Sequence, residues 1–321
     1  MQAFAKLPGE MTDAIPIRRP AIRLSPADSA SGPTGASIAG VVVGGAEAPV
    51  AGAGPAAATG PAPIPRIWHA SGPFATHVFD ALSSTFPFGE AFFVRSVLHY
   101  CDGERDAIRD PGLRQRIRGF AGQEGQHSRV HDEHMTLLLA HGYRFLARRN
   151  RFLDRMLRFH NRRTPRFSLA LTAALEHLTA ILARRLLADS ARLTADMHPA
   201  MAPVWRWHAL EEAEHKSVAY DVLCAVAPGR GLRAIAMGVN TFFLCLETFG
   251  RTVYMLGCDG LLFDRGVWRE GIRFLLGDSG VLRGLGPEYR AWYRRDFHPD
   301  QVDDTALIAY FAPRVAREIA G

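Results

Sequence analysis

The chain has 321 residues, 48% of them apolar, enough for one large core or a core with an appendage. Its formal net charge of +6 is carried almost wholly by arginine, the lysines being Lys6 and Lys216. Cys101, Cys224, Cys245 and Cys258 show no C-x-x-C spacing, and no charged segment followed by an apolar run opens the chain, so a disulfide-stapled secreted domain is not expected. Reduced thiols in a cytoplasmic protein are.

In chain order, residues 1–64 are expected to be largely unstructured. From Ser25 to Pro63, Ala, Gly, Pro and Ser dominate, leaving few large apolar groups to offset the entropy of ordering. Order is expected from Ile67 and Trp68 onward. Val78, Phe79 and Leu82 recur at helical spacing, and Pro87 with Gly89 predicts a kink or restart just before Glu90, the helix then running to about Cys101. Asp110 and Pro111 supply an N-cap and a first helical residue, and Gly142 a stop, so a second helix lies between them. Gly119, Gly122 and Gly125 are costly inside it and read as sites of close approach by a neighbouring element. They do not follow a strand, which rejects a phosphate-binding loop.

The segment Arg144 to Arg166 is the most basic, with Phe145, Phe152, Met156 and Phe159 at helical spacing among its arginines. It reads as a solvated helix leaning on the bundle, or as one resting on an anionic membrane surface or an acidic partner. No recognition motif accompanies the charge, so nucleic acid is not an expected partner. A third helix is predicted from about Pro165 to Leu187, and a fourth from about Pro199 to Val226, closed by Pro228 and Gly229. Leu232 to Leu256 follows as a long apolar helix. Asn240, Glu247 and Arg251 interrupt it, favouring a buried or interfacial helix over a membrane span. Shorter helices follow, including Thr305 to Ile319, and no segment reads as a strand.

The chemistry is concentrated on four of these helices. On the fourth, His208, Glu212 and His215 lie within roughly 60° of arc. The second carries another Glu-x-x-His, Glu124 with His127, and His131 and His134 share that face as candidates to line a substrate or proton path. Glu90 and Glu176 each sit among apolar or small residues, and the neighbours of Glu176 (Thr172, Ala173, Thr179, Ala180, Ala183) leave volume for oxygen or substrate. The order Glu, Glu-x-x-His, Glu, Glu-x-x-His is the ligand order of a ferritin-like di-metal carboxylate bundle. Four buried carboxylates require cations between them. The expected fold is therefore all-α: a ferritin-like four-helix bundle with a di-metal centre over residues 65–228, and additional C-terminal helices, 229–321, packed on it.

The stretches Thr85 to Val97, Gly122 to His127, Ala174 to His177 and Trp205 to Asp221, with Ile15 to Arg19 as an opening, resemble the bacterial family called predicted metal-dependent hydrolases, placed with the ferritin-like proteins. The ligand pattern is also similar to that of di-iron N-oxygenases that oxidise arylamines, which add a third histidine four residues before the last Glu. His208 stands there. The resemblance thus implies seven metal ligands: Glu90, Glu124, His127, Glu176, His208, Glu212 and His215. It also implies an acid before each Glu-x-x-His that orients a histidine. Glu211 fits, Gln123 departs from the pattern, and Glu211, Gln123, His131 and Thr179 are the expected supporting residues.

The functional expectation is a non-haem di-iron oxygenase holding two Fe ions, or Fe with Mn, and using O2 to hydroxylate, N-oxygenate or desaturate a small organic substrate, lipophilic ones included. An external electron donor, a reductase or ferredoxin, is implied, and peripheral membrane contact is the further partner considered. The alternatives are a metal-dependent hydrolase with a dinuclear centre, and a ferritin-like iron-binding or ferroxidase protein.

Overall fold

A computed structural model describes residues 14–26, 63–101 and 107–320. The helices are α1 (Pro73–Ser83), α2 (Phe86–Leu98), α3 (Pro111–Ala140), α4 (Phe145–Arg163), α5 (Pro165–Ala188), α6 (Ser190–Leu193), α7 (Ala202–His215), α8 (Val218–Val226), α9 (Arg230–Cys258), α10 (Arg265–Leu276), α11 (Gly286–Ala291) and α12 (Thr305–Ile319). Among the described residues there is no strand beyond isolated bridges, and the fold is all-α.

Local chemistry sets the boundaries. Pro87 stands in the first turn of α2, where its missing N–H costs nothing, so the break falls at Ser84–Thr85, ahead of Glu90. Asp110 caps α3 by accepting from the Gly112 N–H at 2.9 Å, and Gly142 closes it at φ +95°. The predicted fourth helix is interrupted. α7 ends at His215 and α8 begins at Val218, the interval holding Lys216, whose ammonium is tied to Asp304 at 2.7 Å.

Helices α2, α3, α5 and α7 enclose the centre, α2 packing on α3 and α5, and α7 on α3 and α5. One apolar cluster fills one end with Phe92, Phe93, Ile117, Phe120, Leu169 and Tyr220. A second fills the other with Phe79, Val130, Leu187, Trp205, Trp207 and Leu210. Glu124 and His127 fall between Phe120 and Val130 on α3, so the polar layer lies between these clusters. The C-terminal helices pack onto this core, α9 on α1 and α5, α12 on α7.

Residues 14–26 depart from the expectation of a largely unstructured 1–64; the remainder of that stretch up to residue 62 lies outside the described residues. They form a strap across α3 and α7. Arg18 grips both Glu214 oxygens at 2.7 Å, Pro16 O accepts from Gln123 at 2.8 Å, and Ala21 N donates to Ile319 O at 3.0 Å. Ile15 and Ile17 give this piece the apolar anchors that the Ala/Gly/Pro stretch after it lacks. They also explain two of the three helix glycines. A Cβ on Gly119 would stand 2.5 Å from Ile15 Cβ, and one on Gly122 2.2 Å from Ile17 Cδ1. Gly125 meets nothing within 4 Å, so no close approach accounts for it.

Gly119→Val should therefore displace the strap and lower stability by about 1–3 kcal/mol, the range for overpacking. Gly125→Ala, mid-helix and exposed, should raise stability by up to about 1 kcal/mol. Thermal unfolding followed by circular dichroism reads both, and equal effects at the two positions would contradict the packing described.

Candidate metal centre

The seven predicted ligands converge from α2, α3, α5 and α7, and all are buried. Donor atoms of Glu124, Glu176 and His215 lie within 4.8 Å of one another, as do those of His127, His208 and Glu212, and those of Glu90, Glu124 and His127. Two carboxylates face both histidines of the Glu-x-x-His pairs. Glu124 lies 3.1 Å from His215 Nε2 and 3.9 Å from His127 Nδ1, and Glu212 Oε1 lies 3.6 and 3.8 Å from the same atoms. Glu124 and Glu212 thus lie between the two histidines, with Glu90, Glu176 and His208 around them, and these residues would hold the cations.

Four expected supporting residues take definite positions. Gln123 Oε1 lies 2.8 Å from His215 Nδ1, while its amide nitrogen donates to Pro16 O and Glu214 Oε2, each at 2.8 Å. Two acceptors on that nitrogen fix the amide orientation, so Oε1 must accept and His215 Nδ1 carries the proton. Glu211 Oε2 lies 3.1 Å from His127 Nε2, leaving Nδ1 toward the cluster. The residue before each Glu-x-x-His thus lies against the histidine of the opposite helix, by a hydrogen bond at His215, where an amide oxygen takes the place of the expected carboxylate, and by proximity alone at His127. Thr179 donates to Glu212 Oε2. His131 Nε2 lies 2.9 Å from His208 Nδ1; its donor atoms also fall near Glu90 and His208, but the hydrogen bond to His208 engages Nε2.

Donor chemistry fits metal cations. In the neutral imidazole, His215 Nε2 turns a lone pair toward Glu124 and Glu176 at 3.1 and 3.2 Å, an arrangement of acceptors facing acceptors. Both oxygens of Glu124 and Glu176, Glu90 Oε1, His127 Nδ1 and His215 Nε2 are buried without a hydrogen-bond partner. Orphaned buried groups of this kind are costly, and cations between them remove the cost. Four carboxylates carry the charge that balances two divalent ions.

The titration directions of the bare side chains express the same frustration. Burial, and then the Glu124 carboxylate, holds Glu90 and Glu176 well above the usual carboxylate range. Burial acts against charge on Glu212 as well, yet the His215 and His208 imidazoles outweigh it and keep Glu212 well below that range. For His215, burial is outweighed by Glu176 and Glu212, which raise the imidazole well above its ordinary value. A proton on Nε2 would serve that histidine and the Glu124 or Glu176 oxygen facing it, whereas cations would satisfy the remaining carboxylate oxygens and His127 Nδ1 too. His127 is pushed well below its ordinary value by burial and then by His208.

Several contributors carry no recognisable sequence signal. Ser128 donates to Glu90 Oε2 at 2.9 Å, and Arg18, in the strap, approaches Glu211 at 3.2 Å as well as Glu214. A buried chain leads outward from His208 Nδ1 through His131. It continues from His131 Nδ1 to Ser83 Oγ (2.8 Å), Ser83 Oγ to His134 Nδ1 (2.6 Å) and His134 Nε2 to Asp80 Oδ1 (3.0 Å). Asp80 Oδ2 then meets His77 Nδ1 at 3.3 Å, and His77 Nε2 meets Asp259 Oδ2 at 2.8 Å, beside the half-exposed Arg66. Only His131 and His134 were marked by their place on the ligand face of α3. On another side, a cavity of about 310 Å³ reaches the centre at Glu90, His208 and Glu212, with walls from Phe86, Phe92, Leu157, Leu175 and Phe243 among others.

The profile of the family described as "Predicted metal-dependent hydrolase" matches residues 58–303. No curated protein and no solved structure matches the chain.

Purified protein should bind two transition-metal ions per chain by elemental analysis. Glu124→Ala and Glu212→Ala, each removing a carboxylate that faces both histidines, should lose at least one. His208→Ala should keep both ions and alter their visible spectrum. One ion per wild-type chain, or full metal content in Glu124→Ala, would refute the assignment.

Proposed function

The chain belongs to the family of predicted metal-dependent hydrolases, and from its buried donor set and apolar cavity we propose that it is a dinuclear, ferritin-like metalloenzyme that oxidises a lipophilic organic substrate with O2. The observation that carries this reading is the cavity. Its wall is almost entirely aliphatic and aromatic, and where it meets the centre the titratable groups are Glu90, His208 and Glu212, all donors themselves. A substrate held there is kept from water and lies against the ions. Oxygen and nitrogen donors without thiolate suit iron, or iron with manganese. Two bound iron ions would supply the electrons that activate O2, to be replenished by an external reductase or ferredoxin.

The chain's own residues do the rest. Gln123 orients His215 and holds its proton away from the cluster-facing nitrogen, and Glu211 sets a carboxylate beside His127 Nε2. Thr179 fixes one oxygen of Glu212. The chain from His131 through Ser83, His134, Asp80 and His77 to Asp259 holds the proton of His208 on Nδ1 and leaves its Nε2 toward Glu212 and the cluster. Small residues beside Glu176, including Ala180 and Ala183, leave room next to the ligands.

Hydrolysis is the second reading, favoured by the family's description. Anaerobic turnover separates them. Iron-loaded, reduced protein should consume O2 in step with oxidised organic product and do nothing to an ester, amide or phosphate under nitrogen; sustained anaerobic hydrolysis would establish the second reading instead. Ser83→Val should leave the protein folded and lower the rate of O2 consumption by about 10-fold, the lower range for loss of a group that orients a ligand. An unchanged rate would remove this orienting role.

A further inference from the structure

Helices α4 and α9 run side by side and antiparallel on the outside of the bundle. The Phe145 and Tyr254 rings are 5.2 Å apart, Arg149 pairs with Glu247, and further along Met156 and Phe243 flank the outer end of the cavity. The inward face of α4 is supplied by Leu146 and Leu153, which are buried. The stripe that could have packed onto the bundle instead faces outward, with Phe152 51% and Phe159 59% exposed. Along α9 a second stripe recurs every seventh residue, Ile235 (61%), Phe242 (62%) and Phe249 (56%). Seven-residue spacing drifts only about 20° per repeat. Two nearly straight rows of large apolar side chains therefore face solvent side by side, and such a face marks an interaction surface.

Charge and tethering select its partner. Arg148, Arg151, Arg155, Arg162 and Arg163 are exposed along α4, and Arg151, Arg155 and Arg162 make no ion pair among the described residues. The Arg148 and Arg163 guanidinium groups lie over the rings of Phe145 and Phe159 at 5.5 Å, placing cation and aromatic face together. A twofold contact between copies would appose the same patch on each and bring arginine against arginine. An anionic lipid surface satisfies both the rows and the charges. α9 has the length and hydropathy to cross a bilayer, and so has the mostly buried α5, but the polar groups of α9 point inward and are engaged. Arg233 bonds Tyr220 Oη, Asn240 donates to Leu171 O at 2.6 Å, and Arg251 donates to Ser84 Oγ at 2.9 Å. Held this way, α9 presents one side to a membrane and keeps the other on the protein.

We propose that the face formed by α4 and α9 docks on an anionic membrane, its phenylalanines in the acyl boundary and its arginines among the headgroups. The cavity then opens between the two helices onto the acyl chains, so a lipophilic substrate reaches Glu90, His208 and Glu212 without crossing water. The docking stands by itself; the route for substrate rests on the oxidation proposed above.

Full-length protein is sedimented with vesicles of phosphatidylserine and phosphatidylcholine, or of phosphatidylcholine alone. It should pellet with the first at low ionic strength and be released as salt screens the headgroups. The triple variant Arg151→Gln, Arg155→Gln, Arg162→Gln should partition on the order of a hundredfold less. Phe152→Ser, Phe242→Ser and Phe249→Ser together should abolish the binding that survives salt, with the helical circular dichroism and metal content unchanged because none of the three lines the cavity or the centre. Equal recovery of wild type in the supernatant with both vesicles would overturn the proposal. So would a dimer in sedimentation velocity that the phenylalanine variant dissociates, which would assign the face to a second copy. No turnover is needed for either measurement, so failure to bind leaves the oxidation reading standing, and absence of O2 consumption leaves the docking standing.

Discussion

Mutual repulsion among four carboxylates in a dry interior is the constraint on which this structure depends. Glu90, Glu124, Glu176 and Glu212 come from four helices, and four charges so close in a buried site call for cations between them. The surrounding layers hold the donors in a geometry that cations can use. Gln123 and Glu211 reach across between α3 and α7, Gln123 by a hydrogen bond to His215 and Glu211 by lying 3.1 Å from His127 Nε2. Arg18 then compensates the two outer acids, Glu211 and Glu214, which would otherwise add to the negative charge. Burial tends to raise Glu211, with Arg18 opposing that shift. The strap that carries Arg18 can lie so close only because Gly119 and Gly122 have no side chain.

His208 is where two different environments meet. Its Nε2 lies 3.2 Å from Glu212 Oε1, and its Nδ1 joins the polar chain leading to Asp259. Its ring stacks on Phe86, centroids 4.6 Å apart, and borders the apolar cavity. A polar chain and an apolar cavity thus reach the same centre from different sides. The buried polar groups satisfy one another along the chain and stay out of the apolar wall. The apolar route ends between α4 and α9, where the outer surface is itself apolar, so greasy surface continues from solvent to metal ligands.

Much of this was legible in the residues alone. Period and caps located the helices, since Asp110 and Pro111, Gly142, and the runs leading to Ala188 and Ile319 act through bonds within a few residues of one another. The Glu and Glu-x-x-His spacings likewise put donors on one face of a helix before any neighbour was known, and those faces do converge. Family membership followed from the same stretches. The interruption at Lys216 and Ser217 was not legible, because Lys216 is held by Asp304, far along the chain.

What the sequence by itself determined is which side chains share a face; which way that face turns was decided by the tertiary structure. α4 shows the difference plainly. Phe145, Phe152 and Phe159 form one stripe and Leu146 and Leu153 another, one residue on, so periodicity permits either to be buried. The bundle takes the leucines. In the same way the glycines of α3 announced a close neighbour, but only packing revealed it as Ile15 and Ile17 at two positions and nothing at Gly125. The chain of Ser83, His134, Asp80, His77 and Asp259 could not be read in advance, because its links join residues distant in sequence. Local periodicity encodes interactions along one helix, whereas burial, pairing and proton connectivity arise between helices and exist only once they are assembled.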